Sequence, residues 1–457
     1  MFNPEEYGVV GLVYSAIMFL NVVFTIGMES SYIRYGKNRE QAGSYFKTLQ
    51  VFLFGASLLL LGLFWLGQPL FSPLLKLDGG TQNIYLFMLG ILFFDTMSIV
   101  PFAELRINQK AWLFASLRTL NVFINLGLNF YLILGMGLGI EAIFISNLIA
   151  SVATALLIWG YTLPLMQAKM KREYLQKALR FGLPFVPAGI GFAINESLDR
   201  FFLGGLSNQK VQAIYDMPET AEFIVGVYNA NYKLAVFMLL LVQMFRMAWQ
   251  PFFMRKSGQN DAPELYAQVF TLFNLAAALL FLVVGLFLEQ IVSIKVPIID
   301  AYLIGQQYWM GLSIVPVLLL AYWFQGWYVN FSAGIFISEK TGKLAQITLT
   351  GAAVTIVMNF ALISTFGMMG SAIATVSSYL VMSLLICYFS NKYYPVPYNL
   401  WKAFGVVLIA VFCIYIKPFL TNRFFPDIAA AIILMLSGTL AIALLTMKDI
   451  LIQKRQK

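Results

Sequence analysis

The chain has no histidine in its 457 residues, and only two cysteines. The first absence excludes a histidine general base, a histidine metal site and a histidine pH switch. The second excludes a disulfide framework. Cys387 and Cys413 both lie inside apolar runs, where packed thiols are expected. Charge is scarce too: 11% of residues are Asp, Glu, Lys or Arg, against 60% hydrophobic, and the mean hydropathy is +0.78. A soluble domain carries about 25% charged and about 45–50% apolar residues, and no soluble fold can hide this excess. A membrane β-barrel is excluded as well. Its strands alternate apolar and polar over about 10 residues, whereas LFMLGILFF and ALLFLVVGLFL are unbroken. The fold class read from composition is an all-α polytopic membrane protein. The net charge of +9 then reflects basic connections on one side of a membrane, and no nucleic acid partner is expected.

A crossing helix needs about 20 apolar residues. Spans are predicted at 9–28, 48–66, 84–102, 119–138, 140–163, 184–205, 224–248, 265–288, 310–330, 345–365, 369–390, 401–419 and 426–447, which is 13 segments. Alternate connections hold 22 of the 30 basic residues, from Arg34 to the tail with Lys454, Arg455 and Lys457. The other set holds five: Lys76, Lys210, Lys295, Lys417 and Arg423. That asymmetry places the C-terminus in the cytoplasm and, with 13 spans, the N-terminus outside. The stretch MFNPEEYG has no signal-peptide shape.

An internal repeat runs at an offset of 230. Asn129, Phe130, Leu132, Ile133, Gly137, Ala142 and Ile143 recur as Asn359, Phe360, Leu362, Ile363, Gly367, Ala372 and Ile373. A looser match sets YGVVGLVY at 7–14 beside VGVYNANY at 225–232. Both halves keep one orientation, so the repeat is parallel. The second half has six spans and the first has five. The expected organisation is an N-terminal lobe lacking its first helix at 1–163, a six-helix lobe at 164–390, and a helix pair with a basic tail at 391–457. A helix preceding Met1 would bring the total to 14.

Several pieces in order resemble the polysaccharide flippases of the Wzx type, within the multidrug/oligosaccharidyl-lipid/polysaccharide exporter superfamily. They are PEEYG at 4–8, Gly27 through IRYG at 33–36, the hairpin from Asn125 to Ile133, FGLPFVP at 181–187, LDRFFL at 198–203, GVYNANYK at 226–233, VPVLLLAYWFQG at 315–326, EKTGK at 339–343 and NFALISTFGMMGSAIAT at 359–375. The resemblance covers nearly the whole chain. It implies two six-helix lobes, a final helix pair and a central cavity between lobes that rock between inward-open and outward-open states. The implied substrate is a lipid-linked oligosaccharide on undecaprenyl diphosphate, moved across a bacterial inner membrane from the cytoplasmic to the outer leaflet. Members of this family usually begin with a helix ahead of the EYG stretch, and this chain departs from them there.

Charged residues inside spans are costly and face protein or water. Six stand out: Asp95, Glu196, Asp199, Arg200, Lys233 and Arg246. At about 1.5 Å per residue, Glu196 lies roughly 18 Å from the inner end of its span and Lys233 about 13 Å from the outer end of the next. Glu196, Asp199 and Arg200 share one helical face. Arg200, Lys233 and Arg246 are the candidate substrate-binding cations, since a diphosphate crossing low-dielectric space needs fixed positive charge. Asp95, Glu196 and Asp199 are the candidate carboxylates for ion coupling or a charge network. Bland readings stand beside these. The cluster at 196–200 with Lys233 forms an ion network, Asp95 bonds to nearby Thr96 or Ser98, and Arg246 snorkels to headgroups. A bend is expected where Pro184, Pro187, Gly189 and Gly191 crowd one span start. Tyr322, Trp323, Phe324, Trp327 and Tyr328 are expected to anchor at an interface, with stacking on sugars as the alternative. The basic stretch 169–180 is expected as a solvated linker.

The function expected is therefore transport, with membrane lipids as neighbours, a proton or sodium as the coupling ion, and no cofactor, metal or catalytic residue. A drug or small-cation exporter is the alternative. An integral-membrane glycan polymerase is disfavoured, because the acids of the connections at 206–223 and 289–309 form no paired motif.

Overall fold

The computed structural model describes residues 2–77, 81–296, 301–340 and 342–452. The basic tail residues Lys454, Arg455 and Lys457 lie outside these. The chain divides into two compact units: residues 1–208 with 219–226, and residues 209–218 with 227–457. This division follows where contacts cluster, whereas the boundary at 163/164 follows where the sequence pattern recurs.

The first unit holds α1 (Pro4–Thr25), α2 (Met28–Tyr35), α3 (Arg39–Leu66), α4 (Gln68–Phe71), α5 (Gln82–Ile107), α6 (Ala111–Phe130), α7 (Glu141–Thr162), α8 (Arg172–Gly182) and α9 (Phe185–Gly204). The second holds nearly all of α10 (Asn208–Tyr215), most of α11 (Ala221–Lys256), then α12 (Ala262–Leu286), α13 (Leu288–Val292), α14 (Ile314–Ile337), α15 (Gly342–Tyr393), α16 (Leu400–Arg423) and α17 (Asp427–Ile452). Two two-residue strands, Lys295–Val296 and Ala301–Tyr302, pair antiparallel in one connection. The protein is a multi-pass α-helical membrane protein. Among the described residues eleven helices are long and apolar enough to cross, and the bent pair α8–α9 adds a twelfth. α15 enters that count once, yet it folds back on itself. Ser371 Oγ donates to Asn359 Oδ1 at 3.0 Å and Ser378 Oγ to the Gly351 carbonyl at 2.9 Å, so its arms run antiparallel about Gly367. Counting both arms gives thirteen candidate spans among the described residues, the number predicted.

Local sequence sets the helix boundaries. α1 starts with a capping box: Asn3 Oδ1 accepts from Glu6 N at 2.8 Å, Glu6 Oε2 accepts from Asn3 N at 3.2 Å, and Pro4 stands in the first turn. The expected bend near Pro184 is present, with α8 and α9 meeting at 42°. α8 is less solvated than expected. Its basic side faces out, but Tyr174, Ala178 and Gly182 are buried, and Tyr174 stacks on Tyr45 of α3 at 4.0 Å. The core of the first unit gathers Val13, Phe24, Ile84, Tyr85, Leu92 and Phe144 from α1, α5 and α7.

α1 also meets the start of α11. A Cβ built on Gly8 would overlap the Glu222 carbonyl and stand 3.1 Å from Gly226 N, while one on Gly226 would overlap the Pro4 carbonyl and stand 3.0 Å from Gly8 N. The looser repeat match aligns these two glycines with each other, so the contact joins equivalent positions of the two halves. Thr220 Oγ1 donates to Glu5 Oε1 at 2.8 Å, and Lys76 pairs with Glu222 at 2.8 Å beside it.

In the second unit α14 is the central helix. The interfacial anchoring expected of its aromatics is overturned: Trp323 and Trp327 are fully buried, and both indole N–H groups donate to Asn274 Oδ1 of α12, at 3.0 and 2.7 Å. They sit mid-helix, far from either headgroup region, and a buried indole needs an acceptor. Cys387 and Cys413 are buried free thiols, as expected. The C-terminal pair is stapled on through Lys417, whose Nζ donates to the Leu286 carbonyl at the end of α12 (2.8 Å) and pairs with Asp427 (2.9 Å).

Candidate functional site

The first unit carries a polar seam within the membrane. Asn147, Ser151 and Thr154 follow i, i+4, i+7 spacing along one face of α7, and each reaches a different helix. Asn147 Nδ2 donates to the Tyr14 hydroxyl of α1 at 3.0 Å, Ser151 Oγ donates to Asp95 Oδ1 of α5 at 2.8 Å, and Thr154 Oγ1 accepts from Asn121 Nδ2 of α6 at 2.9 Å. The partner of Asp95 is thus Ser151, not Thr96 or Ser98. Ser98 Oγ instead donates back to the Phe94 carbonyl at 2.8 Å, and Thr96 is on the buried side of α5. Arg118 of α6 is the cation whose charge acts on Asp95; its guanidinium lies 4.1 Å from the Phe102 ring centre.

α9 carries Glu196, Asp199 and Arg200 on one buried face; Arg200 is 6% exposed. The Arg200 guanidinium meets the Asp199 carboxylate at 2.7 Å and the main-chain carbonyl of Glu196. Asp199 Oδ1 also accepts from Arg200 N at 2.9 Å. The sequence places Glu196, Asp199 and Arg200 on one helical face, and the structure brings the Arg200 guanidinium against Asp199 there. Such pairing fixes the guanidinium in a membrane span, where an uncompensated charge is expensive.

Lys233 and Arg246 belong to the second unit and are described apart from α9. Lys233 stands 12 residues into α11 and is exposed; Arg246 is half-buried, three turns or more further on. The exposed face of α11 continues from Lys233 through Phe237, Leu240 and Met244.

Sequence reading missed Glu104. It lies two residues beyond the predicted span and is 2% exposed. Its carboxylate accepts from Arg39 at 2.7 and 3.3 Å, from the Tyr32 hydroxyl at 2.7 Å and from Asn108 Nδ2 at 2.8 Å. Arg106 pairs with Glu29 in the same region. Burial and the neighbouring Glu104 carboxylate push the Tyr32 phenol far above its ordinary value. The one available signal was the Glu104–Asn108 spacing. Among the described residues no group of three or more Cys, Asp or Glu is arranged to hold a metal ion.

The fold is that of known transporters. A lipid II flippase, MurJ, in an inward closed conformation superposes with a TM-score of 0.62 at 13% identity, covering 98% of this chain and 97% of the other. An outward-facing multidrug resistance MATE transporter gives 0.59 at 17% identity over 86% and 88%. A transporter of the same superfamily from Pyrococcus furiosus gives 0.60 at 16% identity over 85% and 88%. No curated protein matches in sequence. Residues 1–230, half of the chain, match the model of a family described as polysaccharide biosynthesis protein, and the chain belongs to that family.

Proposed function

We propose that this protein moves an oligosaccharide carried on undecaprenyl diphosphate from the cytoplasmic to the outer leaflet of a bacterial inner membrane by alternating access. The observation that carries the reading is Lys233. A lysine exposed in mid-span has no favourable place against hydrocarbon and needs a face that water or an anionic substrate lines. Membership of a polysaccharide biosynthesis family supports a glycan cargo. Arg200 and Lys233 meet the diphosphate or acidic sugars, and Arg246 joins them nearer the cytoplasmic end. Glu196 and Asp199 hold Arg200 in place. Asp95, seated by Ser151, exchanges the coupling proton or sodium.

Complementation of a strain lacking its own flippase tests this. Lys233→Gln should reduce surface glycan about tenfold or more, since a charge-assisted bond is lost, while Lys233→Arg retains most of it. Arg200→Gln should fail even when Asp199→Asn relieves the unpaired carboxylate. If that double variant regains both folding and flipping, Arg200 serves the ion network and not the substrate. A drug or small-cation exporter is the second reading, favoured by the carboxylate seam around Asp95. It requires that export of a lipophilic cation, and not surface glycan, respond to Asp95→Asn.

A further inference from the structure

At the end of the first unit that bears the basic connections, α3, α5 and α7 leave a cavity of about 320 Å³. Its walls are Phe46, Val51, Phe54, Trp159, Leu163 and Met166, nearly all carbon. That volume and lining suit a flexible hydrocarbon chain. The cavity also has one polar spot. Gln50 Nε2 and Trp159 Nε1 both donate to the Met97 carbonyl, at 2.9 and 3.1 Å, and Gln50 Oε1 is buried with no hydrogen-bond partner among the described residues.

Three lysines belong to the chain segments that border it. Lys47 lies one turn before Val51 on the same face of α3, on the side toward Arg39. Lys169 follows Met166 by three residues and is exposed. Lys171 is tied to the same turn of α3, because its backbone N–H donates to Thr48 Oγ1 at 3.1 Å. Lys47 and Lys169 meet no carboxylate among the described residues, and the nearby Glu173 is engaged by Lys177 at 2.5 Å. Lys171 Nζ reaches the Tyr174 hydroxyl at 3.4 Å and stands 5.0 Å from that ring's centre. A carbon-lined cavity beneath a cationic collar has the polarity of one class of ligand, a hydrocarbon chain ending in a phosphate.

We propose that this crevice binds an anionic phospholipid of the adjoining leaflet, with one acyl chain in the cavity and the phosphate among Lys47, Lys169 and Lys171. Nothing in this assignment depends on the transported cargo. The collar joins α3 to the segment leading into α8, so a bound lipid would tie those two elements together from outside.

The test uses the full-length protein in mild detergent, titrated with phosphatidylglycerol brominated on its acyl chains. Saturable quenching is expected, with a component that vanishes in Trp159→Phe. Phosphatidylcholine with the same brominated chains should require roughly tenfold more lipid for the same quenching. Each lysine changed to Gln should weaken phosphatidylglycerol about fivefold, and the triple Lys47→Gln, Lys169→Gln, Lys171→Gln variant should bind the two lipids alike. Should the triple variant fold poorly, Lys47→Gln alone still reads the shift. Val51→Phe, which fills the cavity, should reduce quenching by both lipids. Equal quenching by the two lipids in the unaltered protein would overturn the proposal. So would a preference that survives loss of the lysines, or a quenching signal indifferent to Trp159→Phe. Displacement of phosphatidylglycerol by a lower concentration of a polyprenyl phosphate would overturn the assigned occupant.

Discussion

The hairpin of α6 and α7 and the hairpin of α15 are repeat equivalents, and they differ in what surrounds them. At their turns the backbone is alike. Gly137 and Gly367 both have positive φ, 68° and 54°. Asn129 and Asn359 each donate Nδ2 to the carbonyl four residues earlier, of Asn125 and Thr355, both at 2.8 Å. Their settings are not alike. α6 buries only Leu117 and leaves Trp112 85% exposed, as suits a helix bordering lipid. The α15 turn is capped: the Tyr215 hydroxyl accepts from Met368 N at 2.7 Å, and a Cβ on Gly367 would strike that hydroxyl. Asn359 Oδ1 receives Ser371, whereas Asn129 Oδ1 and Glu141 Oε1, at the equivalent positions, are buried without partners among the described residues. What recurs between the halves is backbone geometry; packing around it has diverged.

The largest expected effect tests that divergence at the glycines. Gly367→Ala places a side chain at φ 54°, ψ −128° and against Tyr215, and should cost about 3 kcal/mol or more. Gly137→Ala meets open space and should cost about 1 kcal/mol. Thermal melts in detergent measure both, and equal losses would erase the distinction between the two turns. Tyr215→Phe comes next. It strands the Met368 N–H and should cost about 1–3 kcal/mol, with no counterpart in the first hairpin. Burial raises the Tyr215 phenol to about 12. Its contribution is therefore full below the unfolded phenol's value near 10 and is lost as pH rises through about 12. The stability gap between native and Tyr215→Phe protein should narrow over that window, and a gap unchanged at pH 12 would contradict the burial of the phenol, since the Met368 N–H bond by itself favours the phenolate. The smallest effect compares the asparagines. Asn359→Ala leaves a buried serine without its acceptor and should cost about 1 kcal/mol more than Asn129→Ala, read from the same melts.

Much of this fold was legible in the sequence because long apolar runs report lipid-facing helices directly. Each of the thirteen predicted spans lies on a described helix or on one arm of α15. The pairs Asn129/Asn359 and Gly137/Gly367 were legible too, since a positive φ and an i−4 hydrogen bond depend on residues close in the chain. What escaped depends on residues far apart. Asp95 finds Ser151 across 56 positions and Glu104 finds Arg39 across 65, and no local pattern records such meetings. The aromatics of α14 were misjudged for a related reason. Trp323 and Trp327 look the same in sequence whether they face headgroups or Asn274. Of the candidate site, the shared face of Glu196, Asp199 and Arg200 was readable from spacing, while the contact of Arg200 with Asp199 was set by side-chain geometry.

The contact of Gly8 with Gly226 has the form of a two-fold interface in a homodimer, where equivalent residues meet on the axis, except that both copies lie on one chain. In a true dimer one codon change adds two methyl groups to such an axis at once. Here each glycine can be altered alone, and either change must part the same two backbones. The second substitution then enters space the first has opened, so Gly8→Ala and Gly226→Ala should be markedly less damaging together than their separate losses summed. Sequence counts this feature twice, and the folding free energy counts it once.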